Sequence, residues 1–408
     1  MVARRVLGAT GISVGDTALG TMMFGAWGNS DHAEVTAMVH RAVDAGIDLI
    51  DTADVYAGGE TEEILGAALA GRRDEVVLAT KFGFPNTGNP RTEGASPRWI
   101  RMALEASLRR LRTDWIDLYQ LHRYDWTTGL DETLDTLSAL QREGKIRAFG
   151  HSSFPAEKIV EAQWTSERRG HARFQTEQPR YSIVNRAIEN AVLPTVQRYG
   201  MGAITYGPLA SGWLSGRPLG SGHRAGWTPH VFNTATPENA RRQDVVLRLQ
   251  QVADEAGMPL PHLATAFVRA HPSVTAVIIG PRTPEQLEDS LAASDVVLGD
   301  DVLDAIDEVV APGTEVNPAD MVLTTPPSLL DVRLRRRRPG PGGHRPGERT
   351  GRSRDGRHLA QTEVFGTALG SWAWTRSRWC WRSTSDSACR APIPRIRSAP
   401  YAPGWFRG

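Results

Sequence analysis

Asp48-Leu49-Ile50-Asp51-Thr52-Ala53-Asp54-Val55-Tyr56 opens as a short apolar run, Ile47 to Ile50, broken only by Asp48. A run of that length reads as a buried strand. It stops at Asp51, and Tyr56 follows five residues later in a Gly-rich turn, Ala57-Gly58-Gly59. Two later strands end in the same manner. Val76 to Thr80 stops at Lys81, and Ile116 to Leu121 stops at His122. Four groups able to give, take or bias a proton therefore fall at the C-terminal ends of three successive strands. In a parallel α/β barrel that end is the catalytic face.

Outward from this stretch the chain alternates strand and helix. A hairpin is expected over residues 4–16, then strands at Thr17–Phe24, 47–51, 76–81, 116–122, Ile146–His151, Ala172–Thr176, Gly202–Tyr206 and Val274–Ile279. Helices are expected at Asp31–Ala45, Glu60–Ala70, from Ser96-Pro97 to Arg112, Asp131–Glu143, Pro155–Arg168, Arg186–Arg198, Glu238–Ala256, Pro261–His271, Pro284–Ala293 and Asp300–Val310. Asp31 and Ser96 are suited to N-caps, Pro97 to a first helical position, and Gly46 to a stop. A long Gly/Pro/Trp loop spans residues 207–237. Eight such repeats in about 300 residues match a (β/α)₈ barrel. A doubly wound sheet would need a Gly-rich phosphate turn after its first strand, and Gly20-Thr-Met-Met-Phe-Gly25 is not one.

Composition sets the outer limits. The 408 residues are 40% hydrophobic and 23% charged, ordinary for a globular protein. No apolar run approaches the roughly 18 residues that span a bilayer, and no signal-like segment follows the N-terminus, so a cytoplasmic protein without membrane contact is expected. The net charge of +1 conceals an asymmetry. Residues 332–408 hold 17 Arg, no Lys and 4 acidic residues, which leaves 30 basic against 42 acidic residues before them. Both cysteines and five of the 12 tryptophans also lie there. The division expected is therefore a folded body over residues 1–330 and a disordered Arg/Pro/Gly/Trp-rich tail over residues 331–408. Arginine without lysine is what a shifted reading frame in GC-rich DNA would produce. A nucleic-acid-binding tail is the weaker reading, and no nucleic-acid partner is expected. The body has no cysteine, hence no disulfide or thiolate metal site, and no metal is expected.

At the strand ends, the Tyr56 phenol is the natural proton donor. A free phenol has a pKa near 10, and a neighbouring ammonium stabilises its anion. Lys81 supplies that charge, Asp51 holds Lys81, and His122 can contact the same substrate oxygen. Such a group suits an oxygen that becomes negative during reaction, as a carbonyl does on accepting hydride.

The motifs carrying these residues, Asp51-Thr-Ala-Asp-Val-Tyr56, Ala79-Thr-Lys81-Phe-Gly and Leu121-His122-Arg-Tyr-Asp, resemble those of the aldo-keto reductases. So do Arg5-Val-Leu-Gly-Ala-Thr-Gly-Ile-Ser-Val, Gly150-His-Ser-Ser-Phe154, Gln178, Tyr206-Gly-Pro-Leu-Ala-Ser-Gly-Trp-Leu-Ser-Gly216 and Gly280-Pro-Arg-Thr-Pro-Glu-Gln-Leu-Glu-Asp-Ser290. The resemblance runs from about residue 3 to residue 325. It implies an NADPH-dependent reductase of aldehydes or ketones on a (β/α)₈ barrel, with Asp51, Tyr56, Lys81 and His122 catalytic. Ser152, Ser153 and Gln178 would hold the nicotinamide carboxamide, and Tyr206 would stack on its ring. Gly207, Pro208, Leu209, Ser211 and Gly216 would follow the pyrophosphate. Gly280, Arg282, Gln286, Asp289 and Ser290 would receive the adenosine phosphate end. Ser stands at 153 and 290 where Asn is common in the family. Arg282, just ahead of a helix start, suits a bidentate pair with a 2′-phosphate. Trp27, Trp126 and Trp213 are expected to wall the substrate pocket. Some members of the family are regulatory subunits that bind NADPH and modulate channels, which is the alternative reading.

Overall fold

The computed structural model describes residues 3–84, 89 and 91–320. Eight parallel strands close into a barrel: β3 (Thr17–Gly20), β4 (Leu49–Asp51), β5 (Val77–Phe82), β6 (Ile116–Leu121), β7 (Ile146–Ser152), β8 (Thr176–Gln178), β9 (Gly202–Tyr206) and β10 (Val274–Ile279), with β10 returning to pair with β3. A preceding antiparallel hairpin, β1 (Arg4–Val6) with β2 (Ser13–Gly15), packs at one end. Its Leu7 and Val14 are fully buried among Ala18, Leu49, Ala79, Leu118, Ala148, Ile204 and Ala276. The hairpin thus plugs the barrel floor with apolar side chains.

Strand side chains alternate with a period of two. Above the apolar floor, the next inward positions are Asp51, Lys81, Gln120 and Gln178, which meet one another through hydrogen bonds. The apolar layer supports the polar one, and the same alternation that builds the barrel delivers the polar groups to its C-terminal mouth. Gly150 is required between these layers, because a Cβ there would overlap Thr176 Oγ1 on the neighbouring strand.

The outer ring comprises α1 (His32–Asp44), α2 (Glu60–Ala68), α3 (Pro97–Leu111), α4 (Leu130–Arg142), α5 (Ala156–Arg169), α6 (Val192–Arg198), α7 (His223–Trp227), α8 (Pro237–Glu255), α9 (Leu260–Ala270), α10 (Pro284–Ala293) and α11 (Asp300–Val309). The expected caps form. The Asp31 carboxylate accepts from the N–H groups of Ala33 and Glu34, both at 3.0 Å, and the Ser96 hydroxyl caps α3 ahead of Pro97. Among the described residues, no helix is long and apolar enough to cross a membrane.

Three expected elements differ. The sixth barrel strand is Thr176–Gln178, later than residues 172–176. Phe174 faces outward, packing on Phe149 at 5.3 Å, and the polar run Thr176-Glu177-Gln178 makes the ladder instead. The helix expected from Arg186 begins only at Val192, because Arg186 is drawn into ion pairs with Glu189 and Asp307 and a 3₁₀ turn intervenes. The first strand ends at Gly20, where the backbone turns. The last described segment returns along the barrel: Val316 N–H donates to Val184 O at 3.1 Å, and Asp320 pairs with Arg180 and Arg242. The tail expected over residues 331–408 lies outside the described residues.

Candidate active site

Lys81 sits at the centre. It is 1% exposed, and its ammonium donates to Asp51 Oδ2 at 2.6 Å, Thr52 O at 2.8 Å and Tyr56 OH at 3.1 Å. An ammonium has three N–H bonds, so all three are used. Asp51 Oδ1 is satisfied in turn by the side-chain amides of Gln178 at 2.8 Å and Gln120 at 3.2 Å. Tyr56 therefore receives a hydrogen bond from Lys81, and its own proton is left to donate toward the open side.

Burial pushes the Tyr56 phenol above its ordinary range, and the pull of Lys81 in the other direction does not overcome it. Burial also opposes the charge on Lys81, but Asp51 and Tyr56 together raise its pKa above the usual lysine value. His122 meets Tyr56 edge-on, ring centroids 6.1 Å apart. Burial, reinforced by the Arg123 and Lys81 charges, holds its imidazole well below the ordinary histidine range. At neutral pH the site thus holds a protonated phenol, a charged lysine and a neutral imidazole.

These groups open onto a cleft of about 350 Å³. Asp51, Tyr56 and His122 line it, and Lys81 holds the first two through its hydrogen bonds. Ser152, Gln178, Tyr206, Gly207, Pro208, Leu209 and Ser211 also line it, as do Gly280, Arg282, Gln286, Asp289 and Ser290. Ser153 and Gly216 stand off the wall; Ser153 instead contacts Tyr206 OH at 3.4 Å. The loop after β9 is strained: Ala210, Ser211 and Gly212 all have positive φ, at 48°, 62° and 109°. Conformations of this kind concentrate at ligand-holding segments. Among the described residues, no carboxylate pairs with the Arg282 guanidinium.

The three tryptophans are not among the residues that line this cleft. Trp27 packs against Tyr56 with ring centroids 6.0 Å apart, Trp126 packs on Tyr124, and Trp213 is buried against Arg242 and Phe232. Their aromatic area goes into holding loops in place. Cleft residues that sequence reasoning passed over include Thr21, Met22, Arg123, Arg217 and His223. His223, in α7 within the long loop, contacts Trp27 O at 3.1 Å, so this loop reaches the segment after β3. Gln120 was also missed, although its place two residues before His122 puts it on the inward face. His151 forms a buried pair with Glu177, whose other oxygen accepts from Phe154 N–H at 3.2 Å.

A family model described as the aldo/keto reductase family matches residues 17–311, spanning every strand of the barrel and every group of the tetrad. The chain belongs to the aldo/keto reductase family. It is 37% identical over 332 residues to the uncharacterized oxidoreductase YrpG of Bacillus subtilis, covering 77% of this chain and 98% of that protein. It is 34% identical to the aldo-keto reductase YhdN of the same organism, over 68% of this chain and 85% of that protein. A probable voltage-gated potassium channel subunit beta of Oryza sativa is 34% identical, over 74% and 95%. An aldo/keto reductase is an oxidoreductase of small carbonyl compounds that works with a nicotinamide cofactor, and the cleft suits such a pair. Its strained middle loop leaves the Ser211 N–H without an acceptor among the described residues, and a Cβ at Gly212 or Gly280 would meet no atom within 4 Å. These are places where a phosphate chain could lie close to backbone.

Proposed function

We propose that the protein reduces aldehydes or ketones with NADPH, with Tyr56 as the proton donor. NADPH would supply the hydride; the chain's residues supply the binding and the proton. The observation that carries this reading is the saturation of Lys81. Because Lys81 donates to Tyr56, the phenol hydrogen is free for an oxygen in the cleft. Neutral His122 is available as a second donor to the same oxygen, and two donors aimed where negative charge develops lower the barrier. Ser152, Gln178 and Tyr206 are grouped beside the tetrad, where the nicotinamide end would sit. Arg282 and Ser290 line the same cleft and would receive a 2′-phosphate. Arg282 is the basis for preferring NADPH over NADH.

A second reading rests on the relatives from Oryza sativa and Arabidopsis thaliana whose names describe potassium channel beta subunits. Under it, the chain would bind the cofactor and regulate a partner with little turnover. The intact Tyr56/Lys81/Asp51/His122 group favours the enzyme. A fluorescence titration with NADPH, followed by steady-state oxidation with a panel of aldehydes and ketones, separates the two. Binding with turnover supports the reductase. Tight binding with no turnover across the panel favours the regulatory reading, and absence of binding refutes both.

A further inference from the structure

Arg123 follows His122 directly and lines the same cleft, half-buried. Its hydrogen bonds all come from one nitrogen. Nη1 donates to His122 O at 2.8 Å, Ser153 Oγ at 3.1 Å and Ser152 Oγ at 3.4 Å. None of these acceptors is charged. A guanidinium carries five N–H donors, and among the described residues the Nε and Nη2 edge meets no acceptor. The carboxylates that line the cleft are committed elsewhere: Asp51 to Lys81 at 2.6 Å, and Asp289 to His262 at 2.9 Å. Among the described residues Arg123 is therefore a cation without a counter-charge, close enough to the proposed acid for its charge to act on it.

Withdrawing a guanidinium partly from water without an anion is costly, and an arriving anion relieves that cost. Two anions could come, a cofactor phosphate or a charged group on the substrate. Under the assignment above, the cofactor phosphates would meet the loop after β9 and Arg282, which are not among the groups that contact Arg123. The Phe84 ring lies against the guanidinium at 5.8 Å and against the His122 imidazole at 5.1 Å. It ties the guanidinium to the imidazole that would orient the carbonyl. The Nε and Nη2 pair is the planar fork that fits a carboxylate with two parallel hydrogen bonds.

We propose that Arg123 is a specificity residue that binds a carboxylate on the substrate through its Nε and Nη2 edge, so that this cleft selects oxo acids and carboxylated aldehydes. The inference rests on the carbonyl-reductase reading. Lysine could not replace the arginine fully, because an ammonium is a point charge without a fork.

The test uses matched pairs: 2-carboxybenzaldehyde against its methyl ester, and 4-carboxybenzaldehyde against its methyl ester. The quantity read is the acid-to-ester ratio of kcat/KM in wild type, Arg123→Met and Arg123→Lys, with NADPH affinity and a thermal melt on each protein. Wild type should favour the acid of at least one pair by about 10- to 100-fold, the worth of a charge-assisted bidentate contact. That ratio should collapse toward one in Arg123→Met and fall part-way in Arg123→Lys. If the methionine variant does not fold, the lysine variant carries the test alone, and its ratio must fall. An unchanged ratio in the variants overturns the proposal, as does a loss confined to NADPH affinity, which would make Arg123 a cofactor ligand. If wild type reduces the esters as well as the acids, the inference alone falls. If it binds NADPH yet reduces no aldehyde, the reductase reading falls and the inference with it.

Discussion

Replacing Lys81 by methionine separates what the buried ion pair does for folding from what it does for chemistry. Lys81 is 1% exposed and Asp51 3%, so neither charge is shared with bulk water. In Lys81→Met the Asp51 carboxylate keeps only the Gln178 and Gln120 amides. Removing one partner of a buried pair costs about 3–5 kcal/mol, because the remaining charge is uncompensated. At roughly 2–4 °C per kcal/mol for a large domain, the melting temperature should fall on the order of 10 °C. Adding Asp51→Asn removes the stranded charge, and the asparagine Oδ1 can still accept from both glutamines. Most of the lost stability should return in the double variant. Turnover should not, since the phenol no longer receives the Lys81 hydrogen bond; both variants should stay about 10²- to 10⁴-fold down in kcat.

The assays are a circular-dichroism melt and NADPH oxidation with a competent aldehyde. The sign with pH follows from the raised Lys81 pKa. The contribution is complete below the ordinary lysine value of about 10.4 and fades as pH rises through the higher folded value, so the gap between wild type and Lys81→Met should be constant from about pH 6 to 9. A double variant that melts no higher than the single one, or that regains turnover, would refute the reasoning.

Tyr56→Phe should keep NADPH affinity and lose carbonyl reduction by about 10²- to 10⁴-fold, measured as kcat on the same aldehyde; a near-wild-type kcat would remove Tyr56 as the acid. Arg282→Ala should weaken NADPH by about 1.5–3 kcal/mol and NADH much less, read by fluorescence titration; equal losses would mean the arginine does not read the 2′-phosphate. Because His122 is held neutral, kcat should be flat from about pH 6 to 8, and a step centred near the ordinary histidine value of about 6.5 would contradict a neutral imidazole. Burial raises the Glu315 carboxyl to about 7, against an ordinary 4.5. Its protonated form suits the fold, so its contribution to stability should be complete below about 4.5 and decline as pH rises through 7; Glu315→Gln, which keeps the acceptor for Asn185, should remove that decline and gain about 1–2 kcal/mol at pH 8 after allowance for its solvent-facing side.

The barrel was legible because each repeat carries its own local signal. The apolar runs ending at Asp51, Lys81 and His122 are strands by length and by the caps and glycines around them. Where the signal failed, burial had been satisfied by pairing rather than by apolarity. Thr176-Glu177-Gln178 is fully in the interior, yet each residue is polar, and the ladders with β7 and β9, the pair of Glu177 with His151 and the bond of Gln178 to Asp51 make that tolerable. Apolar Phe174 looked like the strand because it is buried too, on the other side. The start of α6 was lost for a related reason. Arg186 fits a helix locally, but its partner Asp307 is 121 residues away. Contacts of that range, like the path of the long loop that brings His223 to Trp27, are set by the closed barrel and have no local trace.

The site shows the same boundary between what a sequence gives and what packing adds. Placing an ammonium beside a phenol argues for a depressed phenol pKa, and Lys81 does pull in that direction. What the residue list could not weigh was desolvation. A barrel mouth that brings Tyr56 within 3.1 Å of Lys81 also strips the phenol of water, and the second effect is the larger. The consequence is not a weaker case for Tyr56. A raised pKa keeps the proton on the phenol across the neutral range, so the donor form is fully populated before any substrate arrives. The ammonium then matters most after the proton has left, when the phenolate it faces is charged and the burial that opposed ionisation also strengthens their attraction. Lys81 is in this view a stabiliser of the reaction's end state, held in readiness by Asp51. For that reason Lys81→Met should slow the proton-transfer step more than it weakens substrate binding, lowering kcat with little change in KM. A variant with unchanged kcat and raised KM would place the lysine's role in binding instead.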